Sequence, residues 1–312
     1  MQLITSLKHI TQEHKNCVVT IGNYDGVHLG HQEILRQVTD QAKENNTKSL
    51  VIIFEPQPKE YFLPPQQRPA RITHLNDKVY LLGKSNIDYV LCLKFNTQLQ
   101  NMSATEFSHK ILINTLSMHS LFLGEDFCCG SNREGTPSFM SQLLSEHAIP
   151  TTIVKSVTLD GKKISSTLIR TFLKQGDVLA AKTLLGRYFS ISGKVVRGQG
   201  IGKKWGTATA NINLHNRNLV TTGIFVVTVS SEVAKLNNAK GVASIGYRPS
   251  VADNRACLEV HLFGYDINLY DIHIEVTLLK KLRDEAKFVD ISLLQQQIEQ
   301  DKLDALKYFT QE

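Results

Sequence analysis

Five short apolar runs punctuate the first half of the chain: CVVTIG (17–22), SLVIIF (49–54), YVLCL (89–93), SLFLG (120–124) and TTIVKSV (151–157). Between them lie stretches of helical period. The clearest is HQEILRQVTDQAKEN, in which Ile34, Leu35, Val38 and Ala42 recur on one face. HLNDKVYLLGKS, SATEFSHKILINTL and SFMSQLLSEH read in the same way. Strand and helix alternating through five strands predict a parallel sheet with helices on both faces. In such a sheet, ligands bind beyond the carboxyl ends of the strands.

After about residue 186 the period changes. FSISGKVV, IFVVTVS, AKGVASIG, CLEVHLF and HIEVTLLKKL are strand-like, closely spaced and divided by turn formers; only DISLLQQQIEQDKLDALKYF reads as a long helix. Strands closed by one helix predict a small antiparallel barrel or sandwich. LKQGDVLAAKTLLGRY (173–188) reads as one helix that ends the first domain. The expected fold class is therefore α/β plus β, with one domain over 1–185 and another over 186–312. The 312 residues suit two domains of roughly 100–200 residues each.

Composition narrows the classes. Hydrophobic residues are 42% and charged residues 21%, the balance of a water-soluble globular protein. No run of about 18 apolar residues suggests a membrane span, and the first residues lack the apolar core of a signal peptide. Five cysteines, without a CxxC pair, read as reduced thiols of a cytoplasmic protein rather than disulfides or a zinc site. The +6 charge is spread along the chain. An RNA-binding protein would cluster it with stacking aromatics, so no nucleic-acid partner is expected, whereas small polyanions remain in play.

The loop after the first run reads GNYDGVHLGH (22–31). Gly22, Gly26 and Gly30 allow close backbone approach, and the loop leads into a helix that His31 is expected to open. A helix start there presents free N–H groups to an anion, and His28 and His31 can both donate to phosphate oxygens. Ordinary helix-start chemistry and a metal site of Asp25, His28 and His31 are the competing readings. ISSTLIR (164–170) adds hydroxyls at Ser165, Ser166 and Thr167 and a cation, Arg170, one turn on; its plain alternative is an N-cap.

In the second half, RGQGIGKKWGTATAN (197–211) is neither a Walker A loop nor a dinucleotide fingerprint. Its backbone around Gly202, with Lys203, can cradle a nucleotide diphosphate. Thr209 and Asn211 carry hard oxygens suited to Mg2+. In CLEVHLF, Leu258, Val260 and Leu262 share one face, and Cys257, Glu259, His261 and Phe263 the other. Glu259 is either a solvated carboxylate or a general base.

GNYDGVHLGHQ, FEPQPKEYF, LGEDFCCGSNREG and ISSTLIR, followed by GKKWGTATAN, GVASIGYRPS, LEVHLF and LRDEAKF, resemble in order the motifs of the bacterial bifunctional riboflavin kinase/FMN adenylyltransferases, or FAD synthetases. That resemblance implies that His28 and His31 contact the ATP phosphates, that Asp25 and Gly26 shape their loop, and that Ser165, Ser166, Thr167 and Arg170 bind the triphosphate. It places Asp126 and Phe127 nearest the flavin of the first site and Arg283 near that of the second. It further implies that Thr209 and Asn211 help hold Mg2+-ATP and that Glu259 activates the ribityl 5′-hydroxyl of riboflavin. Tyr24, Gln57, Cys129 and Ala208 stand where that family has Phe, His, an aromatic and Pro. The implied substrates are riboflavin, FMN and ATP, acted on by a cytoplasmic monomer or weak homo-oligomer. The rival readings are an adenylyltransferase with a weakened kinase and a flavin-binding regulator without turnover.

Overall fold

The computed structural model describes residues 1–197, 209–214, 218–249 and 254–311. They form two compact units. The first comprises Met1–Pro69 and Thr73–Ser165; the second comprises Ala70–Ile72 and Ser166–Glu312.

The first unit is built on six parallel strands: β1 (Gln2–Ile4), β2 (Val18–Ile21), β3 (Ser49–Glu55), β4 (Tyr89–Lys94), β5 (Ser120–Gly124) and β6 (Thr151–Val154). Their order across the sheet is β1-β4-β3-β2-β5-β6, with every pairing parallel. The apolar runs are continuous because both faces are covered. Val19, Leu50, Ile52, Leu91 and Leu121 face one core, with Phe107, Leu112 and Met140 from its helices. Val18, Val51, Ile53, Val90 and Phe122 face the other, with Leu35, Val38 and Leu82. Each such side chain removed from water contributes about 1.5–3 kcal/mol.

The helices of this unit are α1 (Leu29–Glu44), α2 (Pro58–Phe62), α3 (Leu75–Lys84), α4 (Thr97–Gln100), α5 (Ala104–Phe107), continued by a π-helical stretch Ser108–Thr115, and α6 (Pro137–Ser145). The helix expected to open at His31 opens instead at Leu29, with His28 as its N-cap. Not expected were the short β1, the short helices α2 and α4, and a hairpin of β7 (Thr158–Leu159) and β8 (Lys162–Lys163). Successive strands are added outward from β2, first through β3 on one side and then through β5 on the other. That is the switch point where an open α/β sheet leaves a crevice at its carboxyl edge.

The second unit begins with α7 (Ser166–Gln175) and α8 (Val178–Leu185). The single helix expected over 173–188 is thus broken. Gly176 adopts φ +80°, and the Asp177 carboxylate caps the next helix by accepting from Ala180 N at 2.9 Å. Gly186, in the left-handed region at φ +71°, ends α8. There follow β9 (Ser190–Val196), β10 (Ala210–Asn213), β11 (Gly223–Ser231), β12 (Leu236–Pro249), β13 (Asn254–Leu262) and β14 (His273–Arg283), then α9 (Ile291–Gln311). The strands close into an antiparallel barrel in the order β10-β13-β12-β11-β14-β9. Phe225, Val227, Ile245, Leu258, Val260, Val276 and Leu278 are fully buried. On the other side of the wall, Ile224, Val226, Val242 and Leu279 pack with Ala305, Tyr308 and Phe309 of α9.

Candidate active sites

The loop after β2 is held in an unusual conformation. Tyr24, Gly26 and Val27 have φ of +47°, +86° and +40°, a costly choice for the two side-chain-bearing residues. The Tyr24 ring is buried, and its hydroxyl pairs with Thr20 Oγ1 at 2.7 Å. That bond satisfies the extra hydroxyl where the family resemblance expects phenylalanine. Asp25, also buried, accepts from Thr73 N at 2.9 Å and from Thr73 Oγ1 at 3.3 Å; Gly26 N donates to Thr73 Oγ1 at 2.9 Å. Asp25 therefore clamps the loop to Thr73.

This clamp delivers the two histidines to the start of α1. His28 Nδ1 accepts the backbone N–H of His31 at 3.3 Å, so the proton of neutral His28 sits on Nε2. The two rings stack, with centroids 3.6 Å apart, and Tyr24 lies 5.0 Å from His31. Gly30 makes the cap possible: a Cβ there would press on the His28 ring at 3.2 Å. Nδ1 of His31 is buried without a hydrogen-bond partner. Burial first, then His28 and Lys78, hold the His31 imidazole well below its ordinary range. Lys78, fully buried on α3, was not legible in the sequence, where it reads as the polar face of a surface helix.

The stacked pair has a consequence for stability. Near pH 6.5 the unfolded chain takes up a proton that folded His31 refuses, so unfolding binds protons and stability rises with pH. The contribution is complete above about pH 6.5 and is lost as the pH falls below it. Thermal melting at pH 7.5 and 5.5 is expected to show a drop that is smaller in His31→Gln.

The loop after β5 lies on the other side of the crevice. Asp126 is exposed and ion-paired with Lys163 of β8. Phe127 and Cys129 pack against the core of the sheet, with Cys129 Sγ 3.7 Å from Met140 Sδ. Burial pushes the Cys129 thiol up to about 12, leaving it unreactive at neutral pH. Glu134 Oε1 accepts from Ala104 N at 2.9 Å and fixes the loop. Gln57, after β3, is buried; its Nε2 has no hydrogen-bond partner. Ser165 is the last residue of this unit. Ser166, Thr167 and Arg170 lie on α7 of the second, where Arg170 Nε donates to Ala70 O at 2.7 Å.

The second constellation lies on the barrel wall. Glu259 of β13 stands directly opposite Asn211 of β10 on one side and Ser244 of β12 on the other. Residues opposed in this way present their side chains to the same face. Since Leu258 and Val260 are fully buried, that face is the outer one, as the alternation in CLEVHLF predicts. Asn211 Nδ2 donates to Thr209 O at 3.2 Å and Thr209 Oγ1 at 3.4 Å. The candidate base and the two candidate oxygen ligands thus share one patch. Gly202, Lys203 and Ala208 lie outside the described residues.

Arg283 is held by the terminal helix. Its Nε and an Nη reach the two carboxylate oxygens of the buried Asp301 on α9 at 2.7 and 2.6 Å, and another Nη donates to Asp284 O. Breaking a buried pair from one side strands the other charge and costs about 3–5 kcal/mol; with the Arg283 side chain 24% exposed, about 2–3 kcal/mol is expected for Arg283→Met. Denaturant unfolding followed by the fluorescence of Trp205, the single tryptophan, measures it.

Known proteins bear on these sites. The family model described as FAD synthetase matches residues 10–168, and the riboflavin kinase model matches residues 185–309. A bifunctional riboflavin kinase/FMN adenylyltransferase of Pseudomonas fluorescens is 40% identical over 302 residues, covering 96% of both chains. The chain belongs to the bifunctional riboflavin kinase/FMN adenylyltransferase family. Its Escherichia coli K12 member is 37% identical over 310 residues, 99% of this chain and 98% of that one. A crystal structure from Streptococcus pneumoniae, named as a macrolide-efflux protein, shares the fold at TM-score 0.81 and 27% identity over 96% of each chain. Among the described residues no helix is long and apolar enough to cross a membrane. As a family member the chain carries its clusters where the two models match: the histidine pair within the first span, and Asn211 and Glu259 within the second.

Proposed function

We propose that this chain makes FMN from riboflavin and ATP on its barrel, and FAD from FMN and a second ATP at the edge of its parallel sheet. The observation that carries the reading is the cross-strand placement of Glu259 against Asn211, in a chain that also stacks two histidines at a helix start. At the barrel, Glu259 takes the proton of the ribityl 5′-hydroxyl as its oxygen attacks the γ-phosphorus of ATP, and ADP leaves. At the sheet, a phosphate oxygen of FMN attacks the α-phosphorus of ATP, and pyrophosphate leaves. That nucleophile is already anionic, so positioned N–H donors suffice. The ring N–H groups of His28 and His31 supply them beside the N-terminus of α1.

Thr209 and Asn211 are neighbours, joined by a hydrogen bond from Asn211 Nδ2 to Thr209 Oγ1; the Thr209 hydroxyl and Asn211 Oδ1 are oxygens of the kind that fits Mg2+. When bound there, the ion would neutralise phosphate charge. Among the described residues no cluster of three His, Cys, Asp or Glu offers a site for a softer metal. On the sequence motif alone, Ser165, Ser166, Thr167 and Arg170 bind the triphosphate in the adenylyl transfer, Gly22, Asp25 and Gly26 serve through the loop they shape, Gly202 and Lys203 bind nucleotide in the kinase, and Asp126, Phe127 and Arg283 lie by flavin. All five cysteines are free, which supports a cytoplasmic setting. We expect a monomer or weak homo-oligomer with neither nucleic-acid nor membrane partner.

The test is a time course of purified protein with riboflavin, ATP and Mg2+, with the flavins separated by chromatography. FMN rising first and FAD following is the expected result. FAD formed only from added FMN would mean an adenylyltransferase without an active kinase. Neither product from either substrate would overturn the reading.

A further inference from the structure

The segment joining β14 to α9 is pinned at two places. One is Arg283, held by Asp301. The other is Glu285, which folds back over β12. A Cβ at position 246 would collide with both carboxylate oxygens of Glu285, so this side chain seats against bare backbone that glycine alone provides. Gly246 faces Cys257 across the β12–β13 ladder; two residues along, Ser244 faces Glu259. Opposed residues share a face, as do residues two apart on a strand. The Glu285 carboxylate therefore reaches the outer face that bears Glu259. On ladder geometry Gly246 and Glu259 are diagonal neighbours, roughly 7–8 Å apart.

This is a poor device for stability. Glu285 is a surface residue, and partial burial together with the charge of Glu259 pushes its carboxyl above the usual range, with Arg283 pulling the other way. Among the described residues no hydrogen bond reaches it, whereas Glu60, Glu106 and Glu134 each accept from a backbone N–H. Two neighbouring carboxylates that only accept hydrogen bonds are complementary to a ligand rich in donors. The same face carries Asn211 and Asn213 of β10, Ser244 of β12, and Cys257 and His261 of β13. Two residues further along the same ladder, Arg248 of β12 stands opposite Arg255 of β13.

Resting on the reading that this barrel phosphorylates riboflavin, we propose that Glu285 is a substrate-binding residue, accepting hydrogen bonds from the ribityl hydroxyls adjacent to the one Glu259 activates. It recognises the polyol, and so favours flavins with a hydroxylated chain over flavins without one. The flavin ring needs nothing from it.

Glu285→Gln and Glu285→Ala in the full chain test this, with dissociation constants for riboflavin and lumiflavin from fluorescence quenching and steady-state rates of FMN formation. A charged hydrogen bond lost from the complex corresponds to a rise of about tenfold or more in the riboflavin Kd and KM. The kcat is expected to change by less than about threefold on that basis, and lumiflavin, which has no polyol, to bind as before. Gly246→Ala, which unseats the carboxylate, is expected to reproduce the weakening, and Glu285→Ala added to it to cost little more. Unchanged riboflavin affinity in both Glu285 variants would overturn the proposal. So would equal weakening of lumiflavin, which means general damage to the pocket. A loss confined to kcat with a displaced pH profile would also overturn it, because Glu285 would then act through Glu259. Failure of the unaltered protein to phosphorylate riboflavin is a separate result, removing the reading on which the proposal rests.

Discussion

Replacing His31 with alanine is expected to lower the rate of FAD formation from FMN by at least about a hundredfold, the usual cost of removing one prepositioned donor from a developing oxyanion. The substitution is local. The backbone N–H of residue 31 survives and still donates to His28 Nδ1, so the start of α1 keeps its cap. What disappears is an imidazole stacked on His28 and kept neutral by burial and by neighbouring positive charge. A neutral ring at pH 7 carries one N–H to offer to phosphate, and alanine carries none. FMN formation from riboflavin is expected to continue unaffected in this variant. If the two activities fell together, the assignment of separate sites would be lost.

Glu259→Gln is the converse experiment. Glutamine keeps the shape of the side chain and the alternation of β13, with Leu258 and Val260 still inside the barrel. It cannot take a proton. Loss of a positioned general base costs about 10²–10⁴ in rate, so FMN formation is expected to fall by that factor. Added FMN should still be converted to FAD. Wild-type rates of riboflavin phosphorylation by Glu259→Gln would remove this carboxylate from the base role, whatever its place opposite Asn211.

The sequence is most informative where a pattern is repeated and least where a contact joins distant positions. The five long strands of the sheet announce themselves because burial on both faces demands unbroken apolar runs. β1, three residues long, has no room for a pattern. The β7–β8 hairpin turns at Asp160-Gly161, both at positive φ as a type I′ turn requires. Its strands are two residues each, too short to flank the signal convincingly. The break between α7 and α8 was masked because the apolar period runs on through Gly176-Asp177; only the cap of Asp177 on Ala180 shows that the chain restarts there.

The sites divide in the same way. His28, His31, Thr209, Asn211 and Glu259 stand out in the sequence as candidates because phosphate and Mg2+ chemistry favours particular residue types at close spacing. Thr73, which clamps Asp25, lies 48 residues from it. Lys78 is a buried cation on what reads as an amphipathic surface helix. Asp301 is one acid among several on a polar helix until Arg283 is seen to grip it. Spacing along a chain carries no trace of such pairs.

The closed ring of strands gives β13 a fixed length. β11 of this barrel carries register shifts against both its neighbours, whereas β13 pairs without one. One residue inserted between Leu258 and Glu259 would reverse the facing of everything on one side of it. Either the carboxylate would turn into the apolar interior, or leucine and valine would turn out of it. Folding, and with it the chemistry proposed for Glu259, would fail in one step. Change within β13 is therefore expected to exchange side chains and to leave its count of residues the same.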